Sequence, residues 1–296
     1  MKKILITGRS SYIGTSFQSY IRVQRKNWAA DTVSVRNEAW KDIDFSSYDC
    51  VLHMAGKAHA DVGNVSEEVK KEYYEVNYKL TKKVAERAKN AGVKQFIYPG
   101  SIIVYGESAP YGTEKKITAD TRPNPANFYG DSKLRADEAV QKLNSADFKT
   151  AVLRLPMVYG KGSKGNYPLL SRIAKTFPVF PNVRNTRSMI YIENLCEMIC
   201  EIIEQGDSGV FFPQNAEYTT TAHMVKTIAE TVGRTIYLTK ALNPAVWLAG
   251  KIPGKIKRLT NKAFGNCTYE KSLSDYRGNR YQVYSFKESI RRTEGQ

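Results

Sequence analysis

Tyr129 and Lys133 stand four residues apart in the stretch "NFYGDSK", and Ser101 closes the apolar run "VKQFIYPGS". On a helix, positions i and i+4 share a face, which sets an ammonium beside a phenol. A phenol titrates near pH 10. To serve as a base near neutrality its pKa must fall by ~3 units, roughly 4 kcal/mol of preference for the phenolate. A neighbouring ammonium together with a cationic nicotinamide can supply that preference. Ser101 falls at the end of a strand, where open parallel sheets place their ligands, and its hydroxyl is suited to hold a substrate oxygen. A lone Y-x-x-x-K recurs by chance; its combination with a strand-end Ser and an N-terminal Gly loop is far more specific.

That Gly loop is "ILITGRSSYIG", Ile4 to Gly14. An apolar strand enters a turn at Gly8, and Gly14 lies where a following helix must pack close to the sheet. The N–H groups that open a helix are unpaired and carry partial positive charge, so the turn suits a pyrophosphate. The spacing is not G-x-G-x-x-G: Ser11 occupies the place of a middle Gly, and its hydroxyl can bond a phosphate or cap the helix. About 20 residues on, where an acidic residue would hold ribose hydroxyls and an Arg a 2′-phosphate, the chain reads "TVSVRNEAW". Arg36 tilts the cofactor toward NADP, whereas Glu38 keeps NAD open. Asp44 is a candidate adenine contact or a plain loop residue.

The elements that must position these groups alternate. Strands are predicted at residues 2–7, 32–35, 50–56, 93–101 and 148–156, and helices at 11–24, 66–91 and 127–144. This alternation predicts an α/β fold, a Rossmann-type doubly wound parallel sheet covered on both faces. After Pro156 the pattern loosens, and the remainder reads as a smaller mixed C-terminal substrate-binding lobe. The expected division is 1–158 with 188–213 for the NAD(P)-binding domain, and 159–187 with 214–296 for the lobe.

Composition is that of a soluble globular chain, 42% hydrophobic and 25% charged. The net charge of +16 favours anionic partners without choosing among nucleotides, nucleic acid and acidic membranes. Cys50, Cys196, Cys200 and Cys267 form no C-x-x-C pair, and His53, His59 and His223 show no ligand spacing, so no metal site is expected. Buried reduced thiols and a cytoplasmic location are the reading. The apolar stretch after "MKK" is too short for a secretory leader. From Thr231 to Tyr269 there is no Asp or Glu but seven Lys and Arg. Within it, "NPAVWLAGKIPGKIKRLTNKAFG" mixes apolar and basic residues, as an interfacial helix would. Pro253 and Gly254 interrupt that helix, so a solvated basic face or a lip over an anionic nucleotide-sugar ranks ahead of membrane docking.

The segments "TGRSSYIG", "VLHMAGKAH", "VNYKLT", "PGSIIVYG", "PNPANFYGDSK" and "RLPMVYG" resemble, in order and spacing, the extended short-chain dehydrogenases/reductases that modify nucleotide-sugars. The resemblance covers about residues 1 to 200. It implies Tyr129 as acid/base, Lys133 as the residue that holds the nicotinamide ribose and lowers the Tyr pKa, and Ser101 as the holder of the reacting oxygen. It implies cofactor contacts from Gly8, Ser11, Tyr12, Ile13, Gly14, Ala55 and Gly56, and a supporting role for Asn77. On the substrate side, "KGNYPLL" and "RSMIYIENL" resemble segments that contact the nucleotide base and the UDP diphosphate, through Asn166 and Arg187. Ser11 and Met157, the latter replacing a usual Asn, depart from the pattern. Dehydratases of the family carry Asp-Glu after the Ser or Thr; here Ile102 and Ile103 follow Ser101, which argues against dehydration. A UDP-hexose 4-epimerase working through a 4-keto intermediate is the leading expectation. An NADPH-dependent nucleotide-4-keto-sugar reductase is the alternative, and a non-catalytic cofactor-binding regulatory protein is the reading of another class. The expected partner is a nucleotide-sugar, not nucleic acid, and relatives often form homodimers.

Overall fold

A computed structural model describes residues 1–57 and 65–295. The chain divides into two compact units. The first comprises Met1–Gly106, Arg122–Leu155 and Leu195–Pro213; the second Glu107–Thr121, Pro156–Asn194 and Gln214–Gln296.

The first unit is built on a six-stranded parallel sheet: β1 (Lys2–Thr7), β2 (Trp28–Val33), β3 (Cys50–His53), β4 (Gln95–Ser101), β5 (Lys149–Leu155) and β6 (Gly209–Phe211). Their spatial order is β6-β5-β4-β3-β1-β2. The order reverses at β1, so the carboxyl ends of β1 and β3 form the switch point at which such sheets bind ligands. Every residue of β3 is buried, as are Ile4 to Thr7 of β1. Near-continuous apolar runs of this kind are what a strand covered on both faces requires. Leu5, Val51, Phe96, Tyr98 and Val152 of the sheet form one core with Val84, Ala85 and Ala88 of helix α3 (Leu80–Asn90) and with Ala136 and Val140 of helix α4 (Phe128–Lys142). Each large side chain so buried stabilises the unit by roughly 1.5–3 kcal/mol. Helix α1 (Tyr12–Gln24) is tied to the helix Ile192–Gln205 by Arg25, which bonds Glu197 and Glu204 at 2.7 Å each.

Two predicted elements are corrected. The second strand is Trp28–Val33 rather than 32–35, because it runs in register with all six residues of β1, from Lys2 opposite Trp28 to Thr7 opposite Val33. Arg36 therefore lies three residues beyond the strand, exposed in the loop. The single helix expected over 66–91 is helix α2 (Glu67–Tyr73), a π-type turn at Tyr74–Lys79, and α3. The widened turn brings Asn77, a polar residue, into full burial.

The second unit holds short parallel ladders: Lys116–Ile117 with Thr268–Tyr269, Met157–Tyr159 with Met189–Tyr191, and Val179–Pro181 with Tyr237–Thr239. These pairings are why residues 107–121 and 188–194 group with this unit and not, as the sequence reading had it, with the sheet. At its centre Tyr159 is fully buried; its hydroxyl bonds Ser289 at 2.6 Å and Asn215 at 2.8 Å, and its ring stacks on Tyr167 at 5.6 Å. The four Cys are buried thiols. Among the described residues no helix is long and apolar enough to cross a membrane.

Candidate active site

The glycine turn is shaped by backbone crowding. Gly8 has φ of +92°, and a Cβ there would meet the backbone N of Ala55 at 2.8 Å, so only Gly fits between β1 and the chain leaving β3. Ser11 is the N-cap of α1: its Oγ accepts from Gly14 N at 3.2 Å, and its backbone is extended, as a cap requires. That hydroxyl explains the second Gly. A Cβ on Gly14 would lie 2.5 Å from Ser11 Oγ and 2.9 Å from Ile6. No acidic side chain enters the first turn of α1. Tyr12 and Ile13 open the helix half-buried, and Ala55 and Gly56 follow β3 across the turn from Gly8. Ser11→Ala should therefore lower unfolding free energy by about 1 kcal/mol in denaturant titration, and Ser11→Gly by only a few tenths.

Asn127 caps α4, accepting from Gly130 N at 3.1 Å. Gly130 lets the helix start against the turn after Ser101: a Cβ there would meet Pro125 at 2.9 Å and the Ile103 carbonyl at 3.1 Å. Ser101 Oγ accepts from Ile103 N at 3.3 Å, which leaves its proton to donate. Tyr129 is half-buried with Tyr73 edge-on at 5.9 Å. One turn on, Lys133 is only 7% exposed. Its ammonium lies over the ring of Tyr98 at 5.2 Å and makes no hydrogen bond among the described residues. Burial lowers its pKa from 10.5 to about 8. A Cβ on Gly56 would lie 3.3 Å from Lys133 Nζ, so that Gly keeps the space beside the ammonium open. A buried cation with unfilled donors, beside a glycine turn at a helix N-terminus, fits a diphosphate-linked ribose.

Asn77 is the brace the resemblance implied. It accepts from Lys57 N at 2.7 Å and donates to the Lys57 carbonyl and to Ser132 Oγ, each at 3.1 Å; Ser132 in turn donates to the Tyr129 carbonyl at 2.8 Å. Helix α4 is also clamped to β5. Arg154 donates to buried Asp137 at 2.8 and 3.3 Å and to the hydroxyl of Tyr105 at 2.5 Å.

Sequence reading missed a further link. His53 is fully buried, bonded to Thr7 Oγ1 at 2.7 Å through Nδ1 and to Thr81 Oγ1 at 3.0 Å through Nε2. Thr81 spends its only proton on the Asn77 carbonyl at 2.7 Å, so it accepts from His53, which fixes the neutral Nε2–H tautomer with Nδ1 accepting from Thr7. The residue before Gly8 is thereby wired to the turn that holds Asn77. The signal available was a polar residue at the end of each of two buried strands.

Burial, with the Lys133 charge second, pushes the His53 pKa down to about 3. Between there and the unfolded value of 6.5 the unfolded chain binds the extra proton, so stability falls as pH drops through that window, by up to about 1.4 kcal/mol per pH unit. Urea midpoints at pH 7 and pH 4.5 should show His53→Gln losing less stability on acidification than the parent chain. An equal loss in both would assign the acid sensitivity to other groups.

Three expected positions have other settings. Asp44 caps the turn Phe45–Ser47, accepting from Ser46 N at 2.9 Å and Ser46 Oγ at 2.7 Å, which holds its pKa below the usual range. In the second unit Arg187 and Asn166 converge: both donate to the Lys262 carbonyl, Asn166 at 3.3 Å, and Arg187 also reaches Ser108 Oγ at 3.4 Å. Burial lowers the Arg187 pKa. A cavity of about 800 Å³ in the same unit is lined by Lys115, Lys116, Arg184, Tyr218 and Lys271, with Thr186 beside Arg187. The motif residue His59 lies outside the described residues.

The chain is 28% identical over 288 residues to a UDP-glucose 4-epimerase of Vibrio cholerae, covering 88% of this chain and 85% of that protein. It is 30% identical over 171 residues to the N-acetyl-alpha-D-glucosaminyl-diphospho-ditrans,octacis-undecaprenol 4-epimerase of Escherichia coli O157:H7, covering 56% and 48% respectively. Its fold matches a dTDP-4-dehydrorhamnose reductase of Clostridium acetobutylicum with a TM-score of 0.71 at 18% identity, over 98% of each chain. The model of the NAD dependent epimerase/dehydratase family matches residues 4–212, a span that holds the glycine turn, the His53 and Asn77 braces, Ser101 and the Tyr129–Lys133 helix. The chain belongs to that family, and it is an NAD(P)-dependent enzyme of the extended short-chain dehydrogenase/reductase type.

Proposed function

We propose that this enzyme is a nucleotide-sugar 4-epimerase acting on a UDP-linked hexose. The observation that carries the reading is Lys133, a buried ammonium with unfilled donors one helical turn from Tyr129. Ser101 donates to the sugar oxygen that reacts, and Tyr129 takes that oxygen's proton and later gives it back. Lys133 favours the phenolate by its charge and binds the cofactor ribose. The cofactor, held by Gly8, Ser11 and Gly14 at the start of α1 and by Lys133, supplies hydride acceptance and return at the sugar carbon. Arg187 and Asn166 are the proposed substrate contacts; a guanidinium offers a fork of donors to a diphosphate, and the basic cavity beside it has the matching sign. Ile102 and Ile103 occupy the places of an acid pair, which favours epimerisation over dehydration.

Purified protein should release bound NAD, detected by mass spectrometry, and interconvert UDP-glucose and UDP-galactose, or their N-acetylated counterparts, with no cofactor added. A second reading, reduction of a nucleotide-4-keto-sugar with NADPH, is favoured by Arg36, whose exposed guanidinium follows β2 with no acidic residue before Glu38. Strict dependence on added NADPH and a keto-sugar would establish that reading and remove the first.

A further inference from the structure

Pro253 and Gly254 do not break the basic segment; they fold it. Gly254 adopts φ of +84° and starts the helix Lys255–Phe264, which follows the helix Asn243–Ala249. The two helices pack together where Gly250 meets Thr260: a Cβ there would lie 3.7 Å from Thr260 Cγ2. Thr260 is buried and marks the inward side of the second helix. Large apolar side chains point outward instead. Trp247 is 53% exposed, Leu248 59% and Leu259 55%, with Leu242, Ile252 and Ile256 also exposed. Ile256 and Leu259 are i,i+3 neighbours, and Lys255, Leu259 and Lys262 run along one ridge. Lys251 lies over the Trp247 ring at 5.3 Å.

We propose that this helix pair docks the protein on the surface of an anionic lipid bilayer. Exposed apolar groups in such number on one short segment mark a binding surface. The charge pattern chooses the occupant. Lys240, Lys251, Lys255, Lys257, Arg258 and Lys262 surround the apolar side chains, and no Asp or Glu occurs from Thr231 to Tyr269. A two-fold contact with a second copy would set this face against itself, bringing like charges together. An anionic headgroup layer instead pairs the lysines while Trp, Leu and Ile enter the headgroup–acyl boundary. The inference does not depend on which sugar the enzyme converts.

The test is co-sedimentation of the full chain with vesicles of phosphatidylcholine alone and of phosphatidylcholine mixed with phosphatidylglycerol, at low and moderate salt. Binding to the mixed vesicles should exceed binding to the neutral ones by about tenfold or more and weaken with salt. It should fall by a similar factor both in Trp247→Ser/Leu259→Ser and in Lys255→Gln/Lys257→Gln. All four positions are exposed, so urea midpoints should stay at the parent value and report an intact fold. Three results would overturn the proposal. One is no binding to the mixed vesicles at low salt. Another is binding lost in the lysine variant but untouched in the apolar one, which is general attraction to a basic protein. The third is absence of vesicle binding with a dimer, seen by sedimentation velocity, that Trp247→Ser/Leu259→Ser dissociates.

Discussion

Tyr129→Phe is expected to lower sugar-nucleotide turnover by about 10²- to 10⁴-fold, the range a positioned acid/base contributes, while NAD affinity stays within about threefold. The change removes one hydroxyl and keeps the ring. The edge contact with Tyr73 at 5.9 Å, the Asn127 cap and the Arg154–Asp137 clamp on α4 are untouched, so the helix that presents the side chain remains in place. Loss of rate with preserved cofactor binding and an unchanged urea midpoint would mark a proton-transfer role. Rates within tenfold of the parent would remove Tyr129 from the chemistry and revive the reading of a non-catalytic cofactor-binding protein. The comparison with Ser101→Ala is informative. Ser101 hands its proton to the substrate oxygen but does not carry it away, so its loss should cost less than that of Tyr129.

The parts of the molecule legible in the sequence are those fixed by local pattern. "KILIT", "CVLH" and "AVLRL" are unbroken apolar runs, and they are the central strands. Gly8 and Gly14 punctuate a strand-to-helix turn in any such unit, and Y-x-x-x-K needs only helical periodicity to put Tyr129 and Lys133 on one side. What failed was decided at long range. "WAADTV" has no clean alternation, and only its register with β1 makes it a strand. The π-type turn at Tyr74–Lys79 adds less than one residue to a helical period, too little to show in the pattern, yet it delivers Asn77 to Lys57 and Ser132. His53 looked like one of three scattered histidines. Its partners are 46 and 28 residues away, so neither its burial nor its tautomer was readable. Ser11, judged from spacing alone, reads as a missing glycine; with Gly14 N bonded to it, it is the cap that makes the next glycine necessary. Pro253 and Gly254 show the converse error. Residues that end one helix can begin another, and here the interruption creates the exposed pair.

Lys133→Met should produce opposite effects on activity and stability. The folded chain holds this lysine at a pKa of about 8 against 10.5 when unfolded, with burial as the cause. Below pH 8 both states carry the proton and the folded state bears the full cost of a desolvated charge, about 3 kcal/mol. As pH rises from 8 to 10.5 the unfolded chain still binds a proton the folded chain has released, so stability climbs with pH, and the penalty is gone above 10.5. The cation–π contact with Tyr98 returns roughly 0.5–2 kcal/mol of attraction that methionine forgoes in part. Methionine fills the same unbranched path without charge. The variant should therefore be about 2 kcal/mol more stable than the parent by urea unfolding at pH 7, with the gain shrinking as pH approaches 10. It should also bind NAD at least about tenfold more weakly, a loss of 1.4 kcal/mol, and turn over at a small fraction of the parent rate. A variant less stable at pH 7, or a gain independent of pH, would show that the ammonium is satisfied by the fold itself. Stabilisation together with lost cofactor binding would show the reverse: the protein keeps an unfavourable buried charge because its partner is the cofactor, and the stability it gives up when empty is recovered only on binding.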